Sequence, residues 1–297
     1  MEQQRVFYSR GVPMGGILRL PDEGSGPYPA VVLCHGHSRH KNDGLDLLAQ
    51  HLGGKGFATF RFDFRGCGGT VGRFNLLPNH NCREDLANAI TFLGSEPDVD
   101  PKRIGTAGIS MGGSLVTQNA ADDSRVKCTV AMAPVADLGR NFKNIWKTGL
   151  GQDGYDEMLR LLEQDNIQRV RTGLSGFISS ARICGMKGDR ELEYLYENCR
   201  EQMEGRMNNN YVTLEGVEDS LELAPERDAH KITVPLLILY GADDDIVDPS
   251  ESRSLYEKAG SVHKKLVAIE GCDHNIPMNP KRDSVFPQIV EWFQEYL

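Results

Sequence analysis

Three residues that could together carry out nucleophilic catalysis lie far apart in the sequence. Ser110 is the centre of the stretch GISMGG, Asp244 lies in GADDDIV and His274 lies in EGCDHNIP. A serine hydroxyl is a weak nucleophile at neutral pH, so it needs an imidazole to accept its proton and a carboxylate to orient that imidazole. The sequence therefore contains the parts of a serine hydrolase, provided that the fold brings them together.

The residues around Ser110 have the pattern of a strand, a sharp turn and a helix. RIGTAGIS enters the serine as a predicted strand, and MGGSLVTQNAA leaves it as a predicted helix. This arrangement is typical of a nucleophile elbow, in which Gly108 and Gly112 allow the strand and the helix to approach closely. Met111, at the start of the helix, would then donate its backbone N–H to the oxyanion that forms on the substrate carbonyl.

Short apolar runs alternate with segments of helical periodicity along most of the chain. Runs such as PAVVLCHG, FATFRFDF, VKCTVAMAP, ITVPLLILYG and KKLVAIEG predict buried strands. Their alternation with helices indicates an α/β fold with a mostly parallel central sheet flanked by helices. Asp244 and His274 each follow a later strand, which gives the order Ser, Asp, His expected for this type of sheet. Asp243 and Asp245 remain alternatives for the acid.

The alternation of strands and helices stops between Ala136 and about His230. The intervening stretch contains charged, helix-prone pieces such as YDEMLRLLEQDNIQRVR and DRELEYLYENCREQMEGRM. We therefore predict a hydrolase core formed by residues 1–136 and 231–297, and a helical cap, or lid, formed by residues 137–230. An extra helical layer without a role in substrate access is the alternative.

Three aromatic residues of the predicted cap are candidates for substrate contacts. Phe142, Trp146 and Phe177 could line an apolar acyl pocket. Packing in the core of the cap is the alternative, because aromatic residues in helices usually pack internally.

These motifs resemble the alpha/beta-hydrolase superfamily, and specifically its dienelactone-hydrolase-like and acyl-esterase branches. The resemblance covers about residues 28–136 and 231–297 and implies the alpha/beta-hydrolase fold. It also implies that HGHSR is an oxyanion loop in which His37 contributes its backbone N–H. GADDDIV matches the family pattern G-x-x-D-x-x-V, which selects Asp244 as the acid. Dienelactone hydrolases proper use a cysteine nucleophile, so Ser110 indicates ester or related acyl chemistry.

The composition excludes several other classes of protein. The chain has 297 residues, 39% of them hydrophobic, and a formal net charge of -9, which argues against a nucleic-acid-binding surface. The start MEQQRVFYSR lacks the features of a signal peptide, and no apolar run approaches membrane-spanning length. The seven scattered cysteines fit reduced thiols. We therefore expect a cytoplasmic protein that does not associate with membranes.

The sequence thus predicts a serine hydrolase that cleaves a small-molecule carboxylic ester through an acyl-enzyme, without a cofactor or a metal ion. A metal site at His35, His37 and His40 is disfavoured, because the cationic Arg39 would weaken metal binding. The same catalytic residues would also serve a peptidase, a thioesterase or a hydrolase of carbon–carbon bonds in diketone-like compounds. A non-catalytic ligand receptor is a further alternative. An exposed sheet edge or a face of the cap could support a homodimer.

Overall fold

A mostly parallel sheet forms the centre of the computed structural model, which describes residues 1–70, 79–203 and 210–297. Residues 71–78 of the predicted core and residues 204–209 of the predicted cap lie outside the described residues. The strands, in chain order, are β1 (Glu2–Ser9), β2 (Val12–Arg19), β3 (Tyr28–Cys34), β4 (Ala58–Phe62), β5 (Val99–Ile109), β6 (Val126–Met132), β7 (Phe177–Ser179), β8 (Tyr211–Thr213), β9 (Leu236–Gly241) and β10 (Lys264–Ile269).

Eight strands of the described chain form one sheet in the order β1-β2-β4-β3-β5-β6-β9-β10. The hairpin of β1 and β2 is antiparallel and pairs antiparallel with β4, whereas the remaining neighbours are parallel. The predicted fold class is therefore confirmed. Because the carboxyl ends of parallel strands meet at one edge, the loops that follow β5, β9 and β10 lie at the same edge of the sheet.

Helices cover both faces of this sheet. In chain order they are α1 (Leu45–Gly53), α2 (Asn79–Ser95), α3 (Met111–Asp122), α4 (Leu138–Ile145), α5 (Gly151–Thr172), α6 (Ser180–Ile183), α7 (Asp189–Met203), α8 (Leu214–Ser220), α9 (Pro249–Lys258) and α10 (Arg282–Tyr296). Helices α1 and α10 pack against one face, and α2 and α3 pack against the other. None of the helices in the described ranges is long and apolar enough to cross a membrane.

The sheet is covered on both faces because its central strands carry apolar side chains in both directions. Val31 and Leu33 of β3 belong to the core under α1 and α10, whereas Val32 belongs to the core under α2. A strand buried on both faces is a continuous apolar run in the sequence, which explains why β3 is predictable. The β1–β2 hairpin was not predicted, because one face of β1 is exposed and polar residues interrupt its pattern.

The chain leaves the large sheet after β6 and returns to it at β9. We call residues 137–230 the β6–β9 segment; it contains α4 to α8 and a π-helical turn at Trp146–Leu150. Strands β7 and β8 form a separate antiparallel pair within it, which the sequence did not predict. The two long helix-prone pieces in the sequence correspond to α5 and α7.

Candidate active site

Ser110 stands at the junction of β5 and α3 in a strained backbone conformation. Its φ of 56° and ψ of -125° lie in a region that residues other than glycine rarely adopt. The Ser110 N–H donates to the carbonyl of Met132 (2.8 Å), and its carbonyl accepts from the N–H of Ser114 (2.9 Å). Hydrogen bonds on both sides therefore hold the residue in this conformation at the carboxyl edge of the sheet.

Two glycines make this turn possible by allowing backbone segments to come into contact. A Cβ atom on Gly108 would lie 2.3 Å from the carbonyl oxygen of Gly112, inside any van der Waals contact. A Cβ atom on Gly112 would lie 2.3 Å from the carbonyl oxygen of Cys34, at the end of β3. A side chain at either position would push α3 away from the sheet, so the motif Gly-x-Ser-x-Gly has a direct steric cause.

His274 and Asp244 form a hydrogen-bonded pair at the same edge of the sheet. Nδ1 of His274 lies 2.8 Å from Oδ2 of Asp244, and both residues are buried. Oδ1 of Asp244 accepts the N–H groups of Ile246 (3.0 Å) and Val247 (2.8 Å), which fixes the plane of the carboxylate. Because a carboxylate only accepts, Nδ1 is the donor, and Nε2 is left as the basic nitrogen of a neutral imidazole.

The two neighbouring aspartates occupy different positions. Asp243 and Asp245 are exposed, and the carboxylate of Asp245 pairs with the guanidinium of Arg190 on α7. The structure thus brings Asp244, and neither Asp243 nor Asp245, into hydrogen-bond contact with His274.

Ser110 and His274 line one cavity of about 700 Å³, a volume that includes its open mouth. Ile109 and Met111 contribute to its wall from the core, and Phe142 and Ile183 contribute from the β6–β9 segment. The Ser110 and His274 side chains therefore face a common space with an apolar wall, which is the kind of site that binds small organic molecules.

The loop after β3 passes directly against the serine. A Cβ atom on Gly36 would lie 3.3 Å from Cβ of Ser110, so the backbone of this loop contacts the elbow. His37, the next residue, lines the cavity, and its Nδ1 lies 2.8 Å from Oγ of Ser38. Burial, together with the neighbouring His35, lowers the pKa of His37 to about 4, so its ring is neutral at pH 7. The two predicted oxyanion donors, His37 and Met111, thus border the same cavity as Ser110.

Both ring nitrogens of His35 are hydrogen-bonded to backbone groups. Its Nδ1 lies 2.8 Å from the carbonyl oxygen of Gly36, and its Nε2 accepts the backbone N–H of Phe64 (3.1 Å). Both ring nitrogens are therefore used to connect the ends of β3 and β4. Across residues 1–70, 79–203 and 210–297, no group of three or more His, Cys, Asp or Glu side chains is arranged to hold a metal ion.

The three aromatic residues predicted as pocket residues lie in different environments. Phe142 lines the cavity. Trp146 is fully buried with its ring against that of Phe142, does not line the cavity, and donates its indole N–H to the carbonyl of Ile183. Phe177 lies on the short strand β7 with 56% of its surface exposed, outside the cavity wall. The structure thus brings one of the three to the cavity.

Two polar residues that no sequence motif marks connect the site to its surroundings. Oγ of Ser114 donates to the carbonyl of Val135 (2.8 Å) and holds α3 against the end of β6. The side-chain amide of Asn141 lines the cavity and donates to the carbonyl of Ile246 (3.2 Å), in the loop that carries Asp244. Single polar residues within helices form no recognisable pattern, so no sequence signal indicates either one.

Cysteine thiols near the site are poor competitors for the role of nucleophile. Burial raises the pKa of Cys34 far above its usual value and the pKa of Cys184, which lines the cavity, to about 11. Burial and the neighbouring Asp273 likewise raise the pKa of Cys272 to about 11. Since the thiolate is the reactive form, these side chains remain protonated and weakly nucleophilic at neutral pH.

Comparison with known proteins agrees with this fold. A sequence model of the Alpha/beta hydrolase family matches residues 31–285. An uncharacterised 31.7 kDa protein encoded in the traX-finO intergenic region of Escherichia coli is 28% identical over 283 residues, which cover 94% of this chain and 95% of that protein. Esterase EstD of Thermotoga maritima is 24% identical over 285 residues, which cover 92% of this chain and 60% of that protein.

Solved structures show the same architecture. The crystal structure of the alpha/beta hydrolase GrgF from Penicillium sp. sh18 superimposes with a TM-score of 0.82 at 19% sequence identity, covering 100% of this chain and 99% of that one. At this level of identity the similarity concerns the fold.

Proposed function

The chain belongs to the alpha/beta hydrolase family and is a hydrolase, and from that premise we propose that it cleaves carboxylic esters with Ser110 as nucleophile. One observation carries the proposal: a serine in a strained elbow shares an apolar cavity with a histidine whose Nδ1 is bonded to a buried carboxylate. This combination supplies the nucleophile, the base and the orienting acid of a serine hydrolase.

In the proposed first step, Oγ of Ser110 attacks the ester carbonyl carbon while Nε2 of His274 accepts its proton. Asp244 stabilises the resulting imidazolium and keeps Nδ1 protonated, since Oδ2 accepts that hydrogen and Oδ1 is held by two backbone N–H groups. The C–O bond then breaks as the imidazolium protonates the leaving alcohol. Water, deprotonated by His274, attacks the acyl carbon; the bond to Oγ of Ser110 breaks, the imidazolium returns the proton to Oγ, and the acid leaves.

Negative charge on the carbonyl oxygen needs hydrogen-bond donors in the same cavity. We assign this role to the backbone N–H groups of His37 and Met111, which both border the cavity beside Ser110. Met111 is the first residue of α3, where N–H groups lack partners within the helix and the helix dipole favours negative charge. Loss of one such donor typically costs a factor of 10² to 10³ in rate.

The β6–β9 segment is proposed to act as a cap over the cavity. Phe142 of α4, Ile183 of α6 and Tyr194 of α7 line the cavity opposite residues of the core. The chemistry would then reside in the core, and the shape of the substrate site in the segment. Ester cleavage is favoured over amide cleavage because an alcohol leaves with less assistance than an amine.

Labelling with an ethyl fluorophosphonate, mapped by mass spectrometry, tests the nucleophile without knowledge of the natural substrate. The wild type should be labelled at Ser110, and Ser110→Ala and His274→Ala should lose labelling while keeping the wild-type melting temperature within a few degrees. His263→Ala is the matched control, because this exposed histidine lies away from the cavity. Hydrolysis of p-nitrophenyl acetate should fall by about 10⁴-fold or more in Ser110→Ala.

Two results would contradict the proposal. Labelling of the wild type at a residue other than Ser110 would reject the proposed nucleophile. Cleavage of p-nitroacetanilide at a higher kcat/KM than p-nitrophenyl acetate would reject ester hydrolysis in favour of amide hydrolysis.

A further inference from the structure

Trp146 lies directly behind the apolar wall of the cavity. The side chain is 0% exposed, and its ring is nearly parallel to that of Phe142, at an interplanar angle of 12° and a centroid distance of 5.7 Å. Phe142 lines the cavity, whereas Trp146 does not. The indole therefore fills the space into which the cavity would extend if Phe142 moved back.

The same indole also connects two separate parts of the wall. Nε1 of Trp146 donates to the carbonyl oxygen of Ile183 at 2.8 Å, and Ile183 and its neighbour Cys184 line the cavity. One side chain thus supports Phe142 by stacking and Ile183 by a hydrogen bond. Loss of the indole would remove a contact from each of these wall residues.

The backbone around Trp146 cannot close the space that loss of the indole would create. A Cβ atom on Gly149 would lie 2.1 Å from the carbonyl oxygen of Gly185, and one on Gly185 would lie 2.5 Å from the carbonyl oxygen of Ile145. The two backbone segments already touch, so they cannot move closer. A large-to-small substitution at this point should leave a cavity behind Phe142, with the carbonyl of Ile183 as a polar group in its wall and the Phe142 ring as its apolar boundary.

We propose that Trp146 is a positioning residue that sets the length of the apolar chain accepted by the cavity. The inference rests on the proposed function, and it adds a substrate feature: an ester with an apolar chain whose length is limited by Phe142 and the indole behind it. Trp146→Ala should let the chain push Phe142 into the vacated space. Each additional buried methylene group strengthens binding about fourfold, so two or three groups should give at least about tenfold.

The test compares kcat/KM for long and short esters in two series: p-nitrophenyl decanoate against p-nitrophenyl acetate, and decyl acetate against ethyl acetate. Trp146→Ala should raise the long-to-short ratio about tenfold or more over wild type in at least one series. Trp146→Phe, which keeps an aromatic ring against Phe142, should keep the ratio within about threefold of wild type. Where Trp146→Ala does not fold, Trp146→Leu should shift the ratio in the same direction.

The chain offers a matched control in Trp292, its other tryptophan. Trp292 is partly buried on α10, where its ring packs on Tyr296 at a centroid distance of 4.7 Å, away from the cavity. Trp292→Ala should lower the melting temperature but leave the ratio unchanged. A long-to-short ratio that stays within about threefold of wild type in both series for Trp146→Ala and Trp146→Leu would overturn the inference. A ratio that rises in Trp292→Ala as much as in Trp146→Ala would overturn it as well.

Failure of the proposed function can be distinguished from failure of this inference. If the wild type hydrolyses none of these esters, the proposed function fails. The role of Trp146 behind the cavity wall is then tested by the binding of alcohols of different chain length. In Trp292→Phe, Trp146 is the one remaining indole, and 1-decanol added to saturation should shift its fluorescence emission while ethanol does not. No difference between the two alcohols would overturn the role of Trp146.

Discussion

The elbow around Ser110 and the β6–β9 segment are held in place by different interactions. At the elbow, backbone groups contact backbone groups: Gly112 packs on the carbonyl of Cys34, and the N–H of Ser110 bonds to the carbonyl of Met132. The segment is attached to the core through side chains, including Arg140 with Glu251 of α9 and Arg190 with Asp245. Apolar side chains of the segment also share one core cluster with the sheet. The same cavity thus has one wall fixed by backbone contacts of the sheet and another fixed by side-chain packing and polar pairs.

Backbone contacts and side-chain contacts place different requirements on the sequence. Backbone contact tolerates only glycine at particular positions, so the elbow leaves a short motif that is visible in the chain. Attachment through side chains can be achieved by many combinations of charged residues, so the segment has no recognisable sequence motif. Substitutions can test whether chemistry and substrate shape are separated in the same way.

The largest effect is expected from Asp244→Asn. An amide oriented by the N–H groups of Ile246 and Val247 would present its NH₂ group to His274 and favour the wrong imidazole tautomer. We expect kcat for p-nitrophenyl acetate to fall by about 10⁴-fold with an unchanged melting temperature. Asp243→Asn and Asp245→Asn, which remove exposed carboxylates from the same loop, should each change kcat by less than about threefold. A larger fall in kcat for Asp243→Asn or Asp245→Asn than for Asp244→Asn would assign the acid to that residue.

A smaller effect, on stability, is expected where the segment joins the core. The carboxylate of Glu251 is 2% exposed and accepts hydrogen bonds from the N–H groups of Ala136 (3.1 Å) and Asp137 (2.9 Å) and from the guanidinium of Arg140 (2.7 Å). Glu251→Ala removes the acceptor for all of these donors, so we expect a loss of about 3 kcal/mol in the free energy of unfolding in urea. Glu257→Ala, on the exposed face of α9, is the control and should stay within about 0.5 kcal/mol.

Much of the core was predictable because its requirements are local. Strands such as β3 and β9 are short apolar runs ended by turns, so the sequence predicts a parallel sheet. That sheet in turn predicts the chain order of Ser110, Asp244 and His274. The β1–β2 hairpin was not predictable, because half of the residues of β1 are exposed. Phe142 and Trp146 have the same apolar character in the sequence, and only their packing in the folded chain places Phe142 at the cavity and Trp146 behind it.

The pH dependence of stability should also be stronger where the β6–β9 segment joins the core than at the elbow around Ser110. Burial alone would raise the pKa of Glu226, but hydrogen bonds from Arg140, Lys258 and Ser254 outweigh it and lower the pKa to about 2. A carboxyl whose pKa is lower in the folded state than its usual value of 4.5 contributes stability above about pH 4.5, and this contribution is lost as the pH falls towards 2.

Urea unfolding of wild type and Glu226→Gln at pH 6, 4 and 3 measures this contribution. The difference in unfolding free energy between the two proteins should shrink by about 1 kcal/mol between pH 6 and pH 3, after allowance for screening near the surface. Glu257→Gln provides the matched control for a solvent-exposed carboxylate. A difference in unfolding free energy that stays constant from pH 6 to pH 3 would show that the pKa of Glu226 is not lower in the folded state than in the unfolded state.

The smallest effect is expected at the pair that joins α7 to the loop of Asp244. Arg190 and Asp245 are 57% and 59% exposed, so water screens their attraction, and the pair should contribute less than about 0.5 kcal/mol. Arg190→Gln should therefore leave kcat/KM for p-nitrophenyl acetate within about twofold, at low and at high salt. A salt-dependent fall of tenfold would mean that this pair holds α7, and with it Tyr194, over the cavity. In that case the segment would control access as well as shape, and the separation between the two regions would no longer hold.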